Sequence, residues 1–256
     1  MTLDHVADDA WAPLRTFTPA RIGLGAAGVS EPVGSVLRFK ADHALARDAV
    51  HIPLDVDAVV ADLEPLGLGP VHRVSSQARD RGEYLRRPDL GRIPADTTGL
   101  PHTGADVGLV IADGLSAQAI ARHAVPLVEA MLTVFDGRYR IAPPVVATQA
   151  RVAIGDHIGA ALGVQTVLVL IGERPGLSVS DSVGIYLTHH PVPGRTDADR
   201  NCISNIHGNG LSYAEAAAVC AALVEGARRL GRSGVDLKDT SRGGALAEGA
   251  SPELAR

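Results

Sequence analysis

The sequence predicts an α/β protein in which a doubly wound, mostly parallel sheet follows a small N-terminal helical domain. Hydrophobic residues make up 46% of the chain and aromatics only 3%. The core must therefore be built from Ala, Val, Leu and Ile, a mixture that suits helices packed on a buried parallel sheet. From Asp106 onward, short apolar runs alternate with helical patterns, the signature of successive strand–helix units. Before His102 the helical patterns are short, and no persuasive strand interrupts them.

The elements follow in order. Residues 1–18 are acidic, Pro-interrupted and without periodicity, and read as a loosely ordered lead-in. Residues 19–104 hold helical patterns broken by Gly and Pro, such as Val36 to Arg47, and form the small helical domain. The α/β domain spans 105–238. It opens with a strand over Asp106 to Asp113, closed by Gly114, and a long helix from Ser116 to Phe135 with Ser116 as N-cap. Pro144 to Thr148 is a strand, Ile154 to Leu162 a helix, and Val164 to Ile171 a β-branched strand buried on both faces. Strands are also expected at Val183 to Leu187 and Cys202 to Ile206. Ser212 and Glu215 fit a capping box opening an Ala-rich helix to Leu230, and Val235 to Leu237 reads as a last short strand. Residues 239–256 are rich in Gly, Ala and Ser and read as a disordered tail.

Composition excludes several classes. A net charge of −5 with no dense basic stripe and few aromatics argues against a nucleic-acid partner. Cys202 and Cys220 are too few for a disulfide framework and show no CxxC spacing, which points to the reducing cytoplasm. The N-terminus lacks the apolar core of a secretory signal, and no apolar run approaches the roughly 20 residues that span a bilayer.

Several strings resemble known sites and are better explained otherwise. Gly23-Leu24-Gly25-Ala26-Ala27-Gly28 spells the dinucleotide fingerprint, but that mechanism needs a preceding strand and a following helix. Pro19 and Glu31-Pro32 oppose both, so the string reads as a tight glycine turn. Asp113 and Ser116 stand where a strand hands over to a helix, and they read as groups that cap the helix and steady the turn. Asp197 to Asn201 begins like a calcium loop, but Cys202 and Gly208 replace the required Gly and Glu. In a strand, His189 and His190 would point to opposite faces and cannot easily share a metal, so surface or loop positions are expected for them.

The most informative segment is Ile171-Gly172-Glu173-Arg174-Pro175-Gly176-Leu177. An acid and a base follow the carboxyl end of a dry strand, where an unpaired carboxylate would cost several kcal/mol. Arg195, Asp197, Asp199, Arg200, Asn201, Cys202, Ser204 and Asn205 form a second polar cluster that can reach the same sheet edge. A polar rim of this size suits a large amide-rich ligand or a partner protein. The residues also leave room for an NAD(P)-binding oxidoreductase or a non-enzymatic scaffold subunit.

Arg151-Val152, then Gly155-Asp156-His157-Ile158-Gly159, then Gly172 to Leu177, then Asp199-Arg200-Asn201-Cys202-Ile203-Ser204-Asn205 resemble the small subunit of ethanolamine ammonia-lyase in order and spacing. Arg87 to Arg92 and Ile111 to Ser116 fit the same family. The resemblance runs from Ala20 to Lys238. It implies a two-subunit lyase that converts ethanolamine to acetaldehyde and ammonia through homolysis of the cobalt–carbon bond of adenosylcobalamin. The large subunit would bind ethanolamine and guide the radical. The small subunit would set a Rossmann-like domain against the corrin, with Val152, Glu173 and Cys202 as cofactor contacts and no chemical catalyst of its own. The DxHxxG pattern that offers a histidine to cobalt is absent, which implies a base-on cofactor. The family assembles as several copies of each chain, and in some bacteria it sits in or near a microcompartment.

Overall fold

The computed structural model describes residues 11–18, 20–26 and 29–239. The first ten residues of the expected lead-in and the tail from residue 240 lie outside the described residues. Four short or early elements come first: α1 (Ala12–Arg15), α2 (Val33–His51), α3 (Val56–Leu63) and, after the edge strand β1 (His72–Ser75), α4 (Arg81–Arg86). The strand–helix alternation then gives β2 (Val107–Ala112), α5 (Ala117–Phe135), β3 (Val145–Thr148), α6 (Ile154–Leu162), β4 (Thr166–Gly172), β5 (Val183–His189), β6 (Asn201–Ile206) and α7 (Tyr213–Leu230).

These strands form one six-stranded sheet in the order β1-β3-β2-β4-β5-β6. The central strands β2 and β4 are buried at every position, as their unbroken apolar runs require. Side chains alternate between two cores. Leu109, Ile111, Leu168 and Leu170 face α5 and α7, while Val110, Val167, Val169 and Ile171 face Ile154, Ile158 and Leu162 of α6. Helices therefore cover both faces of the sheet. The caps fall where the sequence puts them: the Ser116 hydroxyl accepts from the Ala119 N–H at 3.2 Å, and Ser212 and Glu215 form the capping box of α7.

The sheet is mixed, which corrects the expectation of a mostly parallel one. The pairings β1–β3, β3–β2 and β2–β4 are parallel, but β4–β5 and β5–β6 are antiparallel. A parallel return needs a crossover of a dozen or more residues, usually helical. The links 173–182 and 190–200 hold no α-helix, so the chain turns back on itself.

Two other expectations change. The half expected to lack strands contributes β1, whose four residues bury only Val74 and so leave no alternation to detect. Val235 to Leu237 forms no strand; Leu237 instead buries its side chain in the core beneath α7.

Candidate functional site

Tyr84, Gly114, Leu115, Arg151, Val152, Ile171, Gly172, Glu173, Arg174 and Tyr186 line a cleft of about 400 Å³. It lies at the carboxyl ends of β2, β3 and β4. The helices that follow β2 and β3 go to opposite faces, and an open α/β sheet leaves a crevice at such a place.

Two close backbone approaches shape the floor. The Leu115 N–H donates to the Gly172 carbonyl at 2.9 Å. Gly114 has φ +55°, and a Cβ there would stand 2.2 Å from that same carbonyl oxygen. Only glycine accommodates both demands.

Asp113 holds the next wall in place. Its buried carboxylate accepts the Gln149 N–H at 2.8 Å, the Ala150 N–H at 2.9 Å and an Arg81 Nη1 proton at 2.9 Å. Burial pushes its pKa up, against the pull of those three donors. Gln149 is thereby kept at φ +54°, and the turn carries Arg151 and Val152 into the cleft. The expected role of Asp113, steadying a turn, holds; its charge partner comes from α4, far away in sequence.

Glu173 is half-buried. Its carboxylate accepts the Ser182 hydroxyl at 2.7 Å and the Asn205 N–H at 3.2 Å, rather than pairing with its neighbour Arg174. The residue thus ties the end of β4 to β6.

Val152 and Glu173 share the cleft, and Cys202 does not line it. Cys202 stands opposite Tyr186 in the β5–β6 register, and Tyr186 lines the cleft from the same face. Cys202 is exposed and also borders a neighbouring hollow with Ser204, Leu211 and Lys238. Its pKa is raised, chiefly by partial desolvation, with the Tyr186 hydroxyl opposing and the Glu173 charge adding. The register sets Cys202 level with Tyr186 and Val169, three residues before the end of β4, so it lies on edge strand β6 below the rim that carries Val152 and Glu173, with Tyr186 between the cleft and Cys202.

The second polar cluster is less open than expected. Arg200 is buried against Asp156, and Asn201 bonds the Gly234 and Leu237 carbonyls. Asp199 caps its own turn through Thr196. What remains exposed of the cluster is Asp197, Cys202, Ser204 and Asn205. His189 is also buried, bonded through Nδ1 to the Thr166 hydroxyl at 2.8 Å, which corrects its expected surface position; His190 is exposed.

Tyr84 and Tyr186 were not legible as site residues. Tyr84 is fully buried, with its hydroxyl 3.0 Å from both the Gly114 and Ala150 carbonyl oxygens, and it can donate to one at a time. It sits on a six-residue helix with no periodic signal. The glycine string at 23–28 offers no dinucleotide site. Residues 21–26 have no regular structure, Ala27 and Gly28 lie outside the described residues, and no strand precedes them among those described. Among the described residues no cluster of three His, Cys, Asp or Glu could hold a metal ion, and no helix is long and apolar enough to cross a membrane.

The model of the family described as ethanolamine ammonia-lyase light chain matches residues 8–238. A protein of Rhodococcus erythropolis named ethanolamine ammonia-lyase small subunit is 60% identical over 242 residues, covering 94% of each chain. Proteins of the same name from Xanthomonas campestris and Bradyrhizobium diazoefficiens are each 51% identical, covering 90% and 89% of this chain and 88% and 90% of their own. A match of that extent, over a chain whose cleft joins the ends of β2, β3 and β4, leaves one conclusion: the chain belongs to the ethanolamine ammonia-lyase light chain family.

Proposed function

We propose that this chain is the small subunit of an ethanolamine ammonia-lyase, which together with a larger chain converts ethanolamine to acetaldehyde and ammonia. Its part is to hold one side of adenosylcobalamin through Val152, Glu173 and Cys202, while the larger chain binds ethanolamine. The observation that carries this reading is that Val152 and Glu173, 21 residues apart by number, meet in one cleft at the carboxyl edge of the sheet.

The cleft's chemistry fits such a group. A corrin rim is fringed with amides, which offer both N–H donors and carbonyl acceptors. The Glu173 carboxylate still has lone pairs to accept N–H groups beyond its two internal donors. Arg151 offers donors, and Val152, Leu115 and Ile171 supply apolar wall. A cleft of about 400 Å³ takes only part of so large a molecule, which suits a cofactor shared with another chain.

When bound, the cofactor supplies the radical chemistry by which ammonia leaves ethanolamine. The residues of this chain orient it: Glu173 fixes the rim by accepting amide protons, Val152 packs against it, and the Tyr186–Cys202 pair borders it at β6. We place the assembly in the cytoplasm, in or near a microcompartment where the organism builds one.

Co-purification with the large subunit in the presence of adenosylcobalamin tests the proposal. The complex is expected to retain the cofactor and to form acetaldehyde from ethanolamine, and the isolated chain to form none. Full activity from this chain alone would refute it. So would a complex whose cofactor binding survives replacement of both Glu173 and Cys202, which would leave a scaffold.

A further inference from the structure

We infer that Arg151 is the anion-binding residue of the cleft, and that the anion it takes is the phosphodiester in the nucleotide loop of the cofactor. This rests on the function proposed above and assigns to Arg151 a role separate from those of Val152, Glu173 and Cys202.

The side chain is held in place before any ligand arrives. The Arg151 N–H donates to the Gly91 carbonyl at 2.8 Å. A Cβ on Gly91 would stand 3.0 Å from Arg151 Cγ and 2.7 Å from the Tyr84 ring, so the stem lies in a cradle that only glycine leaves open. The guanidinium carbon lies 4.7 Å from the centre of the Tyr84 ring.

Its charge is nonetheless unmet. Arg81 lies 5.0 Å from the same ring centre, and there the charge is answered by Asp113 and the Gly114 carbonyl. Among the described residues no carboxylate lies within salt-bridge distance of Arg151. Its Nε is buried without a hydrogen-bond partner, and so is Nη2 of Arg81. Buried donors are rarely left unpaired, and the rest of the half-exposed Arg151 guanidinium faces the cleft without a protein partner. Of the other charged groups in the cleft, Glu173 is engaged by Ser182 and Asn205, and Arg174 is an exposed side chain at its mouth.

An unpaired planar fork of N–H donors recognises phosphate oxygens in preference to neutral amides. The corrin side chains that carry polar groups are neutral amides, so the phosphodiester is the one anionic group at the periphery of a base-on cofactor. Glu173 and Arg151 then divide the ligand by charge: the acid takes amide protons and the guanidinium takes phosphate oxygens.

The test uses the assembled two-chain enzyme and equilibrium dialysis read by corrin absorbance. Three ligands are compared: adenosylcobalamin, adenosylcobinamide phosphate, and adenosylcobinamide, which lacks the phosphate. Arg151→Gln is expected to weaken the first two by at least about tenfold, the scale of a lost hydrogen bond to a charged group. Adenosylcobinamide should change by less than about twofold, since its neutral amides ask little of the guanidinium. Equal weakening of all three ligands, or of none, overturns the inference. If Arg151→Gln does not assemble, Arg151→Lys, which keeps stem and charge but not the fork, carries the same comparison. A smaller loss confined to the two phosphate ligands supports the assignment, and a loss blind to phosphate overturns it. Wild-type enzyme that binds none of the three would instead sink the cofactor reading itself.

Discussion

Arg200 and Asp156 meet fork to fork, with Nη1 donating to Oδ1 at 2.6 Å and Nη2 to Oδ2 at 2.7 Å, and both side chains are 2% exposed. Asp156 lies in the first turn of α6, just past Val152, and Arg200 directly precedes β6, which carries Cys202. Nη1 also donates to the Thr188 hydroxyl at 2.9 Å and Nη2 to the Arg195 carbonyl at 3.0 Å. The pair thus fixes the link before β6 against the helix behind the cleft, and so sets the distance between two parts of the candidate site.

Breaking this pair on one side should be costly. Asp156→Ala leaves a guanidinium buried without its counter-charge, and a loss of about 3–5 kcal/mol is expected. The double replacement Asp156→Leu with Arg200→Met removes both charges and should cost less than either single change. Urea unfolding of Asp156→Leu, Arg200→Met and the double variant checks this. Single variants no less stable than the double one would show that the charges do not depend on each other.

Glu173→Ala should weaken adenosylcobalamin binding to the assembled enzyme by about 1.5–3 kcal/mol, the range for a hydrogen bond to a charged group. The same change also removes the acceptor for Ser182 and Asn205, so a structural loss must be separated from a binding one. Ser182→Ala does that: it removes one internal donor, leaves the carboxylate, and should cost affinity less than about 1 kcal/mol. An unchanged cobalamin titration of Glu173→Ala would remove this residue from the binding surface.

The turn under the cleft gives a purely steric prediction. Gly114→Ala places a Cβ 2.2 Å from the Gly172 oxygen at φ +55°, and left-handed strain plus overpacking should cost roughly 2–5 kcal/mol. Gly67 has φ +70° with nothing within 4 Å, so Gly67→Ala should cost only the strain, about 1–2 kcal/mol. Equal shifts in the two urea midpoints would mean that the approach of β2 to β4 is not what demands glycine at 114.

What the sequence revealed follows the range of the interactions concerned. β2 and β4 are central and dry, so unbroken apolar runs announce them. Ser116 and Ser212 act within four residues of themselves, so their caps can be read locally. The direction of β5 depends on what the 173–182 link lacks, and the partnership of β1 with β3 spans some seventy residues; neither leaves a local mark. In the site, Glu173 stood out because a charge after a dry strand is conspicuous. Arg151 and Tyr84 did not, since their meeting is created by the Asp113 bonds to Gln149 and Ala150 and by the bare Cα of Gly91. Asp199, Arg200 and Asn201 looked like an open polar rim because nothing in their own neighbourhood reveals that Asp156, Thr196 and the 234–237 turn consume them.

Acid should loosen the fold through His189. Burial holds its pKa down, from 6.5 to about 4, with the positive charge of His190, Arg228 and Arg195 adding. A histidine kept neutral in the fold binds its proton more readily when unfolded. The stability it contributes is therefore intact above pH 6.5 and is lost as pH falls toward 4, at a limiting slope of about 1.4 kcal/mol per pH unit. His123, lowered by the same cause and bonded through Nδ1 to the Tyr213 hydroxyl at 2.7 Å, adds in the same direction. His189→Gln keeps a group able to bond Thr166 but has no proton to gain, so its urea midpoint should fall less between pH 7 and 5 than that of the wild type. Parallel declines in the two proteins would assign the acid sensitivity elsewhere, because only the proton that His189 takes up on unfolding distinguishes them.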